Sequence, residues 1–314
     1  MASFRLIFLL PVLTVMTSSL HGQTVPPLLE AIRNNDSLLV KKLIGESADL
    51  AITDRDGDGV LMYSALYADL SIMKQLLEAG AAPNQQNQLG ETALMWAVPD
   101  LAKSRLLLAF KADPNTSSND GNTALHIACV GNNQTGIIRL LIDHGADVTL
   151  KNKKDATALI RLAGYGDTAS ASLLFANGAV INARKKDSVD ALFTAVKCVN
   201  EPMVKWLLDH GADTDLQDQY KATAFYYAVI FNNLPIVKML LDKTTELNRP
   251  DLDGATPLMW AVYNEHDNTA IIQLLLDKGA DPKYKTKDGV SVLDWALKKG
   301  ETKTVALLRK YQAK

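Results

Sequence analysis

Cysteine is scarce: the 314 residues include only Cys129 and Cys198. That excludes a small scaffold stapled by several disulfides and leaves too few thiolates for an all-cysteine zinc centre. A surplus of one charge is missing too. Lys plus Arg number 33 and Asp plus Glu 35, a formal net charge of −2. General nucleic-acid binders are strongly basic, so that class is set aside. Beyond the N-terminus no stretch approaches 18 uninterrupted apolar residues, the length that reads as a membrane-spanning helix. Several catalytic signatures are also missing: G-x-S-x-G, H-E-x-x-H, G-x-x-x-x-G-K and G-x-G-x-x-G. Neither a cofactor nor a catalytic constellation is expected.

The N-terminus has a different character. Arg5 precedes an almost wholly apolar run from Leu6 to Met16, followed by Thr17, Ser18 and Ser19. This is the layout of a secretory signal peptide, assigned to residues 1–22 with a cut after Gly22 or, alternatively, Ser19. An uncleaved anchor is the competing reading. No cysteine lies near the junction to carry a lipoprotein anchor. The folded domain is then 23–314, exported to a periplasm or secreted. In a eukaryotic secretory pathway Asn35, Asn115 and Asn133 would be N-x-S/T glycosylation sites.

What dominates the rest is periodicity. ETALMWA (91–97), NTALHIA (122–128), ATAFYYA (222–228) and ATPLMWA (255–261) are variants of one phrase. Weaker copies end at Ala31, Ala65, Leu162, Ala195 and Ala296, so the closing positions recur every 31–35 residues. A second phrase keeps the same phase, as in LLEAGAAPN (76–84), LLIDHGADVT (140–149) and WLLDHGADTD (206–215). A third, D-x-x-G and its variants, precedes the first in five copies, as in DRDG (54–57), SNDG (118–121) and DLDG (251–254).

Three phrases in constant phase resemble the ankyrin repeat, whose T-P-L-H-x-A signature has this period. The resemblance covers residues 24–312 in nine copies: 24–53, 54–86, 87–117, 118–151, 152–184, 185–217, 218–250, 251–285 and 286–314. It implies an all-α solenoid of helix–turn–helix units with projecting turns, each unit burying its faces against its neighbours. Departures mark places of expected irregularity. Leu162 replaces the small alanine, and Asp155, Ser188 and Lys221 replace the turn glycine. The third copy is short near Pro99 and the eighth carries two extra residues near Glu265–Asn268.

Within that frame most chemically suggestive residues become structural. TDRDGDGV (53–60) begins like a calcium loop, but its twelfth position is Ala65 where a bidentate Glu belongs. The stretch reads instead as a D-x-x-G turn. Cys129 and Cys198 lie two copies apart, on the order of 20 Å at the usual helix spacing, too far to pair. Cys129 is expected to be buried and Cys198 exposed. His126 and Cys129 are three apart on a helix, which supplies two of the four ligands a structural zinc needs. By resemblance His126 supports neighbouring loops. Trp96, Trp260 and Trp295 share one position before the closing alanine and read as packing between copies.

The resemblance also implies where binding occurs: the concave surface, at the turn tips and the ends of the first helices. Copies five and six offer Lys151, Lys153, Lys154, Arg184, Lys185 and Lys186 on their tips. Copy seven offers Tyr220, Ile230 and Phe231, copy eight Tyr263, and copies two and five Tyr67 and Tyr165. Aromatic side chains at exposed positions mark interfaces. The expectation is a non-enzymatic monomer that binds a protein, with Tyr220, Ile230, Phe231 and Tyr263 as the hot region and the basic tips steering an acidic partner. Open alternatives are an inhibitor or immunity-type factor for one enzyme, and an enzyme or small-ligand receptor using the groove.

Overall fold

A computed structural model describes residues 25–131, 134–263, 269–300 and 302–313. The segment read as a signal peptide, Asn133 and the stretch Glu265–Asn268 lie outside the described residues. Among those described, eighteen helices and no strands run from α1 (Pro27–Arg33) to α18 (Thr302–Gln312). Their lengths, 5 to 11 residues, fall short of what holds an isolated helix together in water. Tertiary contact must therefore supply the stability.

The contacts form two layers. Helix α13 (Ala224–Ile230) packs on α11 (Ala191–Lys197) and α15 (Pro257–Tyr263). Its partner α14 (Leu234–Leu241) packs on α12 (Glu201–Asp209) and α16 (Thr269–Asp277). The same alternation holds from end to end: each helix touches its partner and the helices two places away. Small residues permit the close approach, with Ala97, Ala128, Ala195 and Ala228 fully buried. Leu162 is buried as well, and Gly166 makes room for it, since a Cβ there would sit 2.1 Å from the Leu162 side chain.

Side chains start the helices and join neighbouring units. The hydroxyls of Thr92, Thr123 and Thr157 accept the N–H groups of Met95, His126 and Ile160, the N-cap bond that satisfies an otherwise orphaned donor. Asn84, Asn115, Asn182 and Asn248 form a second repeated device. Each donates its amide to one carbonyl of the following unit (Lys111, Gly145, Gly211, Gly279) and accepts an N–H two residues further on. Asn115 is therefore committed to an internal clamp that a glycan would disrupt. Lys103 is buried and donates to the carbonyls of Ser64 and Ala65, near the C-terminal end of the first helix of the preceding unit, where positive charge is favoured.

The D-x-x-G turns stack as a row of fingertips. Backbone bonds run from tip to tip: Gln88 to Asp56 (3.0 Å), Asn119 to Leu89 (2.7 Å), Lys153 to Asp120 (2.8 Å), Lys186 to Lys154 (3.2 Å) and Leu252 to Tyr220 (2.9 Å). The irregularity expected at Asp155, Ser188 and Lys221 is not found. These residues take the glycine's left-handed conformation, with φ of 57°, 63° and 59°. The tip-to-tip packing and the turn bonds impose that geometry at about 1–2 kcal/mol per residue. In the third unit the first helix, α5 (Ala93–Ala97), is no shorter than α7 (Ala124–Ala128) of the fourth.

Asp190 departs from the threonine that caps most first helices. It is buried and accepts the Phe193 N–H at 2.9 Å. Burial pushes its carboxyl up to about 6, although backbone N–H donors and Arg184 pull the other way. The folded chain thus holds a proton that the unfolded chain releases near pH 3.8. Stability is fully present below that value and falls as pH rises through about 6, by about 3 kcal/mol in all.

Two measurements test these readings. A Cβ on Gly121 would lie 2.8 Å from the Lys153 nitrogen at a φ of +77°, so Gly121→Ala destabilises by about 2 kcal/mol or more, whereas Ser188→Gly at the equivalent tip stabilises by roughly 0.5–1 kcal/mol in urea unfolding. Asp190→Thr raises the urea midpoint at pH 8 and removes the decline between pH 4 and pH 7. An unchanged pH profile would contradict the assignment.

Candidate functional site

The fingertips and the first helices are coupled by a fixed spacing. Asp54 Oδ1 accepts the N–H groups of Asp56 and Asp58, both at 2.9 Å, and its Oδ2 accepts the hydroxyl of Tyr63, nine residues on, at 2.9 Å. Asp218 repeats this with Tyr220 and Ala222 N–H groups and the Tyr227 hydroxyl at 2.6 Å. Asp251 repeats it with Asp253 and Ala255 N–H groups and the Trp260 indole at 2.7 Å. In each case one carboxylate shapes the turn and holds an aromatic ring upright on the helix behind it. Burial, then the bond to the carboxylate, pushes the Tyr63 and Tyr227 hydroxyls well above their usual range.

These rings continue into others. Tyr227 meets Phe193 and Phe231 at centroid distances of 5.7 and 6.0 Å. Trp260 meets Tyr263 at 5.5 Å and Trp295 at 6.4 Å. Two lysines lie over ring faces, Lys197 at 4.1 Å from the Tyr227 centroid and Lys299 at 4.8 Å from that of Tyr263. Lys299 also donates to the Tyr263 carbonyl. Between the tips Asp218–Lys221 and Asp251–Gly254 is a cleft of about 170 Å³, whose walls include Tyr220, Tyr227, Ile230, Leu252 and Trp260.

The structure brings four of the expected residues to this one region. Tyr220 and Ile230 line the cleft, and Phe231 and Tyr263 flank it. Tyr220, Phe231 and Tyr263 keep 56%, 48% and 54% of their surface exposed. Tyr67 lies elsewhere, half-buried against Tyr63. Tyr165 is exposed but bonded to Cys198, a contact that raises its pKa. Lys153, Lys154 and Lys186 are exposed on adjacent tips. Lys185 is half-buried and pairs with Asp187 at 3.3 Å. Arg184 is spent on the carbonyls of Ser188 and Gln217. Sequence reading missed Tyr227, Leu252 and the acids Asp251 and Asp253. The nine-residue step from turn acid to aromatic ring, present at 54/63, 218/227 and 251/260, was the signal that could have found Tyr227 and Asp251.

Comparison with known proteins adds one decisive match. The family model described as ankyrin repeats (3 copies) matches residues 28–104, 99–185, 163–251 and 245–314. The chain belongs to the ankyrin repeat family. An ankyrin repeat protein of fowlpox virus is 33% identical over 141 residues, 43% of this chain and 41% of that protein. A second fowlpox ankyrin repeat protein is 28% identical over 136 residues, 43% of this chain and 72% of its own length. An ankyrin repeat-containing protein of Treponema pallidum is 33% identical over 123 residues, 38% of this chain and 41% of its length. The chain thus spans less than half of two of these three relatives.

Ankyrin architecture is a protein-interaction architecture, and it accounts for the chemically suggestive residues. At TDRDGDGV the Asp54 oxygens already accept three hydrogen bonds, and Asp58 Oδ1 accepts the Asn87 amide at 2.7 Å. No group of three potential metal ligands occurs among the described residues. His126 Nδ1 accepts the Thr123 N–H, so its Nε2 carries the proton and donates to the Ala156 carbonyl of the next repeat at 3.0 Å. Burial lowers its pKa and keeps the ring neutral. Trp260 does pack between repeats, on Trp295, and Trp96 bonds Glu91 within its own repeat. Both cysteines are free thiols. Cys129 is fully buried, its pKa pushed up to about 12 by burial, while Cys198 is half-buried rather than exposed. Iodoacetamide at pH 8 is expected to label Cys198 in the native protein and spare Cys129, with both labelled in denaturant; native labelling of Cys129 would contradict its burial.

Proposed function

We propose that this ankyrin chain is a non-enzymatic binding module that acts outside the cytoplasm, in a periplasm or secreted. It carries nine repeats behind a signal peptide. It works as a monomer on a protein partner, with no nucleic-acid or membrane ligand after the leader is removed. The observation that supports this reading is the exposure of Tyr220, Phe231 and Tyr263 around one cleft. Aromatic side chains left open beside a pocket are what desolvated interface anchors look like before binding. Lys153, Lys154 and Lys186 supply positive charge on nearby tips, which favours acidic residues on the same partner.

No helix among the described residues is long and apolar enough to cross a membrane, which is compatible with action as a released domain. The test is a quantitative pull-down from the exported fraction of the source cells with wild type and Phe231→Ala/Tyr263→Ala. The double variant is expected to lose its dominant partner at least tenfold, about 1.4 kcal/mol or more, with an unchanged melting temperature. Equal recovery with an intact fold sinks the proposal.

A further inference from the structure

The cleft between the tips Asp218–Lys221 and Asp251–Gly254 differs in charge from the basic tips beside it. Its aromatic walls are Tyr220, Tyr227 and Trp260, and its acidic rim is Asp251 and Asp253. Tyr226 closes the base, its hydroxyl donating to the carbonyls of Arg249 and Ala255. Asp251 directs both oxygens inward, to two backbone N–H groups and the Trp260 indole. It still contributes its negative charge. Asp253 is different: it is exposed and its carboxylate forms no ion pair among the described residues. Neither Lys221, on one of the two tips, nor Lys287, on the next tip beside Gly254, is in ion-pair contact with it.

The geometry points to a receptor for one cationic side chain, the guanidinium or ammonium of an arginine or lysine presented by the protein partner. This rests on the protein-binding reading above and specifies what enters that surface. Aromatic faces attract cations through their quadrupole, most strongly where water is partly excluded. Lys197 already engages the Tyr227 ring at 4.1 Å, so the wall rings left for an incoming cation are Tyr220 and Trp260. A volume of about 170 Å³ accommodates a single side chain rather than a drug-sized molecule. Asp253 at the rim is placed to pair with the charged end. The Trp260 indole edge cannot serve a donor-seeking ligand, because its N–H is committed to Asp251.

The surroundings extend the specification. Lys154 and Lys186 lie on tips three and two repeats away from Asp253. At roughly 10 Å per repeat, Lys186 is about 20 Å distant, or about six residues of extended chain. The fitting segment is bipolar: a basic residue for the cleft, acidic residues about six positions away, and an apolar residue for Phe231 or Tyr263.

The pocket is tested without the partner. The full chain is titrated with N-acetyl-arginine methylamide while the Trp260 indole N–H is followed by NMR, assigned through Trp260→Phe. The neutral isostere N-acetyl-citrulline methylamide and the acidic N-acetyl-aspartate methylamide are run in parallel. Saturable shifts are expected with the arginine compound at millimolar half-saturation, and none with the other two. Asp253→Asn and Tyr220→Ala, both at exposed positions, each weaken half-saturation by about fivefold while the melting temperature holds. An equal response to citrulline, or identical titrations of wild type and Asp253→Asn, overturns the cation pocket. Either result leaves the pull-down outcome untouched, so failure of the pocket and failure of the binding surface are read separately.

Discussion

The side chain at the head of each fingertip is what the binding face depends on. Asp54, Asp218 and Asp251 each accept two backbone N–H groups with one oxygen and an aromatic donor with the other. One oxygen therefore closes a turn whose backbone would otherwise have unsatisfied donors. The second fixes the ring that forms the wall of the groove. Asn87 and Asn152 make the same pair of backbone bonds with an amide oxygen and use the amide nitrogen sideways, to Asp58 and Asn122. The choice of acid or amide at this position thus decides whether a tip braces its own helix or its neighbouring tip.

This division produces two regions with different characters. From Asn87 to Lys186 the tips are joined by successive backbone bonds, and the amides reinforce them. The row is a braced edge that holds exposed lysines in place. The tips at Asp218 and Asp251 are also joined by a backbone bond, from Leu252 to Tyr220, but their acids hold rings, and a cleft lies beside that bond. A rigid charged edge next to an aromatic cleft suits recognition of a segment with both charge and apolar side chains, because orientation and anchoring come from different neighbours.

Much of this was legible from phase alone. The all-helical array, the burial of Cys129, the structural role of His126 and the turn identity of TDRDGDGV follow from where each residue falls in the period. Position in a repeat determines environment when every unit packs in the same way. What phase does not report is side-chain pairing and backbone conformation. Lys185 pairs with Asp187, and Asp155, Ser188 and Lys221 take the glycine's positive φ and keep their turns regular. Pairing and backbone strain depend on the local arrangement of several residues, which the phase of one residue does not report.

The amino-acid sequence by itself determined the architecture, because apolar residues and turn formers recurring every 31–35 residues have one economical solution: stacking units that cannot bury their own faces. Only the tertiary structure decided the chemistry of the binding face. Tyr220, Tyr227, Asp253 and Trp260 come from consecutive units and from both tip and helix, and stacking alone places them around one cleft. The meeting of those rings with the acids Asp251 and Asp253 is a property of that assembly and of no single repeat.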